Sequence, residues 1–208
     1  MIKNTWLRII SITVNLSLVI ALTSCIETIV VSSTIGAGLA YREKSFADTR
    51  EDIKIASKIG IKFFTNGLKT PSNSIDITVN EGRVMLTGIV RDPAKAKLAQ
   101  DLCWQVKGVN EVIDEVQIRK DDKLDFGDTA SALVDYKITA EIESRFAIAK
   151  NIKTINYSIT TVDRIVYLLG VATDDSELKK AIDLASRING VKKVINHVVL
   201  ANDSRRSR

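Results

Sequence analysis

A slide of 82 residues brings two stretches of this 208-residue chain into register. VMLTG at 84–88 falls on VYLLG at 166–170, and WQVKGVNEVIDEVQI at 104–118 falls on SRINGVKKVINHVVL at 186–200. Gly88 meets Gly170, Asp101 meets Asp183, Gly108 meets Gly190, Val109 meets Val191 and Val116 meets Val198, with no gap. A fixed offset marks a duplicated unit. Copies of roughly 70 residues are large enough to be small domains and too large to be solenoid turns. The fold must therefore be one that the chain adopts twice.

Each copy reads in the same order. A helix comes first, with Ile53, Ala56, Ile59 and Phe63 at helical spacing in one copy and Val134, Ile138, Ile142 and Phe146 in the other. The second copy's helix is expected over Ser131–Ala149. After a loop holding Pro71 and Asn73, apolar and polar residues alternate through Ile75, Ile77 and Val79, matched by Tyr157, Ile159 and Thr161. Asn80-Glu81-Gly82 and Val162-Asp163-Arg164 are tight turns into a second strand, so each copy holds a β-hairpin. A second helix opens at Asp92-Pro93, an N-cap followed by proline, and at Asp174, with Glu177 completing a capping box. Gly108 and Gly190 are expected to close those helices, and a last strand follows over Val112–Ile118 and Val194–Leu200. The crossover through a helix makes strands two and three parallel. The expected fold class is α+β: two tandem α-β-β-α-β units, each with two helices on one face of a three-stranded mixed sheet.

GRVMLTG with GVNEVIDEV, and DRIVYLLG with GVKKVINHV, resemble the BON-domain pattern of a G-x-V-x-L-x-G hairpin, a helix and G-V-x-x-V-x-N/D-x-V. Arg164 departs from it, standing where glycine is usual.

The N-terminal end says where such a chain would work. MIKNTWLR is short and basic, IISITVNLSLVIAL is apolar with polar breaks, and TSC closes the run with small residues. This is the order of a secretory signal, and the run is short for a membrane span of about 20 apolar residues. Leu22-Thr23-Ser24-Cys25 resembles a bacterial lipobox, which implies acylation of Cys25 and cleavage before it. Ile26, in place of an aspartate, leans towards outer-membrane sorting on the enteric pattern. The expected organisation is a signal peptide at 1–24, a lipidated N-terminus and tether at 25–49 and a first domain at 50–120. A linker at 121–130, a second domain at 131–201 and a disordered tail at 202–208 complete it.

A lipobox before two such domains resembles the dual BON-domain outer-membrane lipoproteins, the division- and outer-membrane-integrity family. The resemblance implies a non-enzymatic protein, lipid-anchored in the outer membrane and facing the periplasm. It would bind anionic phospholipid through the second domain's first helix and support envelope integrity. An ungapped match puts Lys137 where the enteric-type protein has an exposed aromatic, with Tyr136 beside it; Arg145 and Lys150 add charge nearby. These four are the expected lipid-binding residues, since an amphipathic tyrosine suits an interface and a basic residue is attracted to anionic lipid. The alternative is a periplasmic scaffold that binds an envelope or cell-wall machine through a sheet edge.

No catalytic chemistry competes with this reading. His197 is the sole histidine and has no companions with metal-ligand spacing. No nucleophile elbow or phosphate loop is present, so no cofactor or metal is expected. Asp121, Asp122, Asp125 and Asp128 lack the spacing and terminal glutamate of an EF-hand. Lys3 and Arg8 are the only charges before Cys25, which leaves +3 of the net +5 for the rest, too weak a bias to argue for nucleic acid. Cys103, among Leu98, Ala99, Leu102 and Val106, is expected to be a buried small hydrophobe.

Overall fold

The computed structural model describes residues 46–70, 73–119 and 126–206. Cys25, the segment before it, most of the tether and residues 120–125 of the charged linker lie outside the described residues. The order is α1 (Phe46–Thr65), β1 (Lys69–Thr70), β2 (Asn73–Asn80), β3 (Arg83–Val90), α2 (Pro93–Trp104) and β4 (Glu111–Ile118). Then come α3 (Phe126–Ile148), a short 3-10 turn (Thr154–Asn156), β5 (Tyr157–Val162), β6 (Ile165–Ala172), α4 (Asp175–Ser186) and β7 (Lys193–Leu200). The two sheets are ordered β1-β2-β3-β4 and β5-β6-β7, with an antiparallel hairpin and a parallel last strand in each, as the repeat predicts. The two-residue β1 is an addition to the first copy.

The first helix of each copy is phased by an aspartate. Ile55, Ile59 and Phe63 point into the first core, and Asp52 continues their row. Ile53, expected on that inner face, is 44% exposed. The Asp52 carboxylate accepts the Glu81 and Gly82 amides, both at 2.9 Å. In the second copy Asp135 does the same for Asp163 and Arg164, at 2.7 and 2.8 Å, in line with Ile138, Ile142 and Phe146. These turns need two residues at positive φ: Glu81 and Gly82 at 52° and 75°, Asp163 and Arg164 at 50° and 63°. The carboxylate holds the turn closed, which is how Arg164 is tolerated where glycine is usual.

α2 starts as expected, with Asp92 accepting from the Ala94 amide at 2.9 Å and Pro93 in the first turn. Asp174 accepts from the Glu177 amide at 2.8 Å. Glu177 is itself buried, its carboxylate taking the amides of Thr173 and Lys153. Gly108 and Gly190, expected as helix caps, stand instead in the turn beyond; the helices end at Trp104 and Ser186, with Gln105 and Arg187 as right-handed caps. α3 begins at Phe126, earlier than the expected Ser131. Cys103 is fully buried, and removal from water pushes its thiol up to about 12.

The two sheets meet through the faces turned away from their helices. Along β3, Val84 and Leu86 enter the first core while Met85 points the other way; along β6, Val166 and Leu168 face the second core while Tyr167 and Leu169 face Met85. Ile113 and Ile195, equivalent in the repeat, join this third cluster. The layers therefore run helix, sheet, sheet, helix, with α1 and α2 on one outer face and α3 and α4 on the other. Polar links cross the seam. Arg83, 1% exposed, is held by Glu111 at 2.5 Å and donates to the His197 carbonyl at 2.9 Å. The Gln117 amide donates to the Tyr167 hydroxyl at 3.2 Å. Arg206, in the segment expected to be a disordered tail, grips the Glu81 carboxylate with two bonds of 2.8 and 2.9 Å, and both side chains are almost fully buried. The tail of the second copy is thus drawn over a turn of the first, because burial of one charge demands its partner.

Candidate membrane-docking surface

α3 rests on the second sheet through Ile138, Ile142 and Phe146, and Thr139 shares a 2.8 Å hydrogen bond with Thr161 of β5. Its outer face is also apolar. Leu133 is 54% exposed, Tyr136 71% and Ile148 80%, with Ala140 and Ala147 exposed between them. At 100° per residue these positions fall within one stripe. Exposed large apolar side chains gathered on one face mark an interaction surface more than scattered ones do.

Of the expected lipid-binding residues, Tyr136 and Lys137 belong to this stripe and are both exposed. Arg145 lies nine residues after Tyr136, which is two and a half turns, so it projects from the opposite flank of the helix. It is bound to Glu141 at 2.6 Å. Lys150 is exposed in the turn just beyond Ile148. The structure adds Leu133 and Ile148, which the sequence reading did not single out. Their signal was an excess of apolar residues outside the inward row of the helix.

No group of three or more metal-ligating side chains occurs among the described residues. His197 Nε2 is 2.8 Å from Glu115 Oε1, and both side chains are 23% exposed. Tyr157, whose hydroxyl burial pushes well above its ordinary value with the Glu177 carboxylate adding to the effect, packs edge-on against Phe146 in the second core. None of the described helices is long and apolar enough to cross a membrane.

Two small α+β units, duplicated in tandem and docked sheet to sheet, define the class of this protein. The BON domain family model matches residues 52–120 and 135–202, and the chain belongs to the BON-domain family, with two such domains in tandem. It is 37% identical over 156 residues to a protein of Anaplasma centrale described as an uncharacterized protein in the gshII 5′ region, covering 75% of this chain and 99% of that one. It is 26% identical over 176 residues to the outer membrane lipoprotein DolP of Haemophilus influenzae, covering 85% of this chain and 88% of that one. Osmotically-inducible protein Y of Escherichia coli K12 is 23% identical over 185 residues, covering 81% and 90%.

Proposed function

We propose that this protein is a lipid-anchored envelope protein, held at the outer membrane through acylated Cys25 and facing the periplasm. In this reading it binds anionic phospholipid through α3, supports the integrity of the envelope and is not an enzyme. The observation that carries the reading is the exposed apolar stripe of α3, with Tyr136 along one edge and Lys137 within it. An amphipathic tyrosine places its ring among acyl chains and its hydroxyl among headgroups, while a lysine ammonium gains about 1 kcal/mol near an anionic surface. The similarity to DolP, an outer membrane lipoprotein by name, supports the location. The Leu22–Cys25 motif supports the anchor.

The test is sedimentation of the chain from Ile26 onward with vesicles. Every described core residue lies at or beyond Asp52, so this chain keeps both cores. Binding to phosphatidylglycerol-containing vesicles and not to phosphatidylcholine alone, weakening with salt and with Tyr136→Ser and Lys137→Glu, is the expected result. No preference for anionic vesicles at low salt overturns it. Salt-insensitive capture of a single envelope protein, without vesicle binding, would favour a scaffold.

A further inference from the structure

The first domain has an outward face that neither the repeat pattern nor the reading above uses. On α1, Ile53, Ile61 and Phe64 are 44%, 65% and 76% exposed. Ile53, Ser57 and Ile61 follow one another at intervals of four, and Phe64 comes three later, so they form one ridge along the helix. One residue further round lies a second ridge, Lys54, Lys58 and Lys62. Lys62 reaches Gln105 at 2.9 Å, and the neighbour of Gln105 is Trp104, 55% exposed at the end of α2. The α1 face thus carries a phenylalanine and two isoleucines beside a row of three lysines, with Arg50 exposed at its start and Trp104 exposed at the adjoining end of α2.

The acids around this face are turned inward or paired; Asp101, one turn before Trp104, is bound to Lys97 at 2.5 Å. Asp52 is turned inward to the Glu81 and Gly82 amides, and Glu51 is paired with Lys54 at 2.6 Å. On α3, by contrast, Glu141 and Glu143 are exposed against Lys137 and Arg145. The first-domain face is therefore both more aromatic and more basic than the face to which the family resemblance points. Aromatic and branched apolar side chains flanked by lysines are the composition of a helix that lies in the headgroup region of an anionic bilayer. A protein groove would have to supply both pockets for Phe64 and Trp104 and a matching row of acids for the lysines, whereas an anionic lipid surface meets both with one chemistry.

We propose that the α1 face of the first domain, through Ile61, Phe64, Trp104 and the lysine row, is a second docking surface for an anionic phospholipid bilayer. It shares its ligand with the α3 reading and stands on different residues. The two faces occupy opposite outer layers, so one flat bilayer is met by one face at a time.

The chain from Ile26 onward contains Trp104 as its only tryptophan, since the other is Trp6. Its fluorescence therefore reports this face alone. In a chain carrying Tyr136→Ser and Lys137→Glu, which disable the α3 face, phosphatidylglycerol-containing vesicles should still bind. Trp104 emission should shift to the blue and become protected from acrylamide. Adding Phe64→Ser, Ile61→Ser and Lys58→Glu, all at exposed positions, should weaken that residual binding about tenfold or more and abolish the shift. Circular dichroism and thermal melting of each variant establish that it is folded. If the parent chain binds and the α3-disabled chain does not, the first-domain surface is refuted and the α3 reading stands. Vesicle binding with Trp104 emission unchanged and no effect of Phe64→Ser also refutes it. If the parent chain ignores anionic vesicles altogether, both fail.

Discussion

His197 Nε2 and Glu115 Oε1 stand 2.8 Å apart, and the two residues occupy the same position in the two repeats. Equivalent positions touch in this way at an axis of approximate two-fold symmetry. Ile113 and Ile195, one turn of the pleat away, meet in the same apolar seam. With both side chains 23% exposed, the pair is partly screened. A double-mutant cycle with His197→Gln and Glu115→Gln should therefore return a coupling of about 0.5–1 kcal/mol in urea denaturation at neutral pH.

Arg206 carries more. Its guanidinium is 6% exposed against a Glu81 carboxylate that is 3% exposed, and it also donates to the Ala201 carbonyl. Removing the guanidinium withdraws two charge-assisted bonds from a carboxylate that stays buried. Arg206→Ala should cost about 2–4 kcal/mol. Arg205→Ala, one residue earlier and exposed, should cost far less. Comparing the two midpoints in urea checks this, and equal midpoints would refute it.

Asp135 closes the hairpin turn that lacks glycine. Asp135→Ala removes the acceptor for the Asp163 and Arg164 amides and should destabilise by about 2 kcal/mol. Arg164 sits at φ 63°, a region costly for a residue with a Cβ. Arg164→Gly should therefore stabilise the chain by about 0.5–1 kcal/mol, and it should recover part of the loss in the Asp135→Ala background. Thermal melts of the parent chain and the three variants decide this.

Cys103 gives a pH dependence. Burial raises its thiol from 9.0 to about 12 in the folded chain. Between those values the unfolded chain has released the proton and the folded chain has kept it. Unfolding is then favoured as pH rises, so stability falls from pH 9 upward by about 1.4 kcal/mol per unit at most for this group. Tyr157 and Tyr167, raised chiefly by burial, add to the fall at still higher pH. Cys103→Ala should reduce the slope of unfolding free energy between pH 9 and 11. Iodoacetamide should label Cys103 in the native chain only at the rate at which the core opens.

The sequence made the repeat, the strand order and the start of the second helix in each copy legible because each rests on local chemistry. Asp92-Pro93 and Asp174 announce helices, and the hairpins alternate cleanly. The phase of α1 was misread because the inward row begins with a polar residue. Asp52 looks like surface and is 5% exposed, since its carboxylate serves two turn amides remote in sequence. The seam between domains went unseen for a different reason. Met85, Tyr167 and Leu169 lie on the strand faces away from the helices, so β3 and β6 read as apolar on both sides. That signal is present, yet it names no partner for the second face. The tail pairing of Arg206 with Glu81 joins positions 125 residues apart and leaves no periodicity to read.

Placing Glu115 opposite its own repeat equivalent has a consequence for how chains mate. Two first domains joined in the same manner would set carboxylate against carboxylate at that point. They would also bring a second Arg83 where Ile165 now completes the apolar seam. A first domain is complementary to a second domain and not to another first domain, so the first half of a neighbour is turned away by charge. The short connection after Ile118 holds the right half close by. Divergence after duplication has thus matched each first domain to the second domain of its own chain.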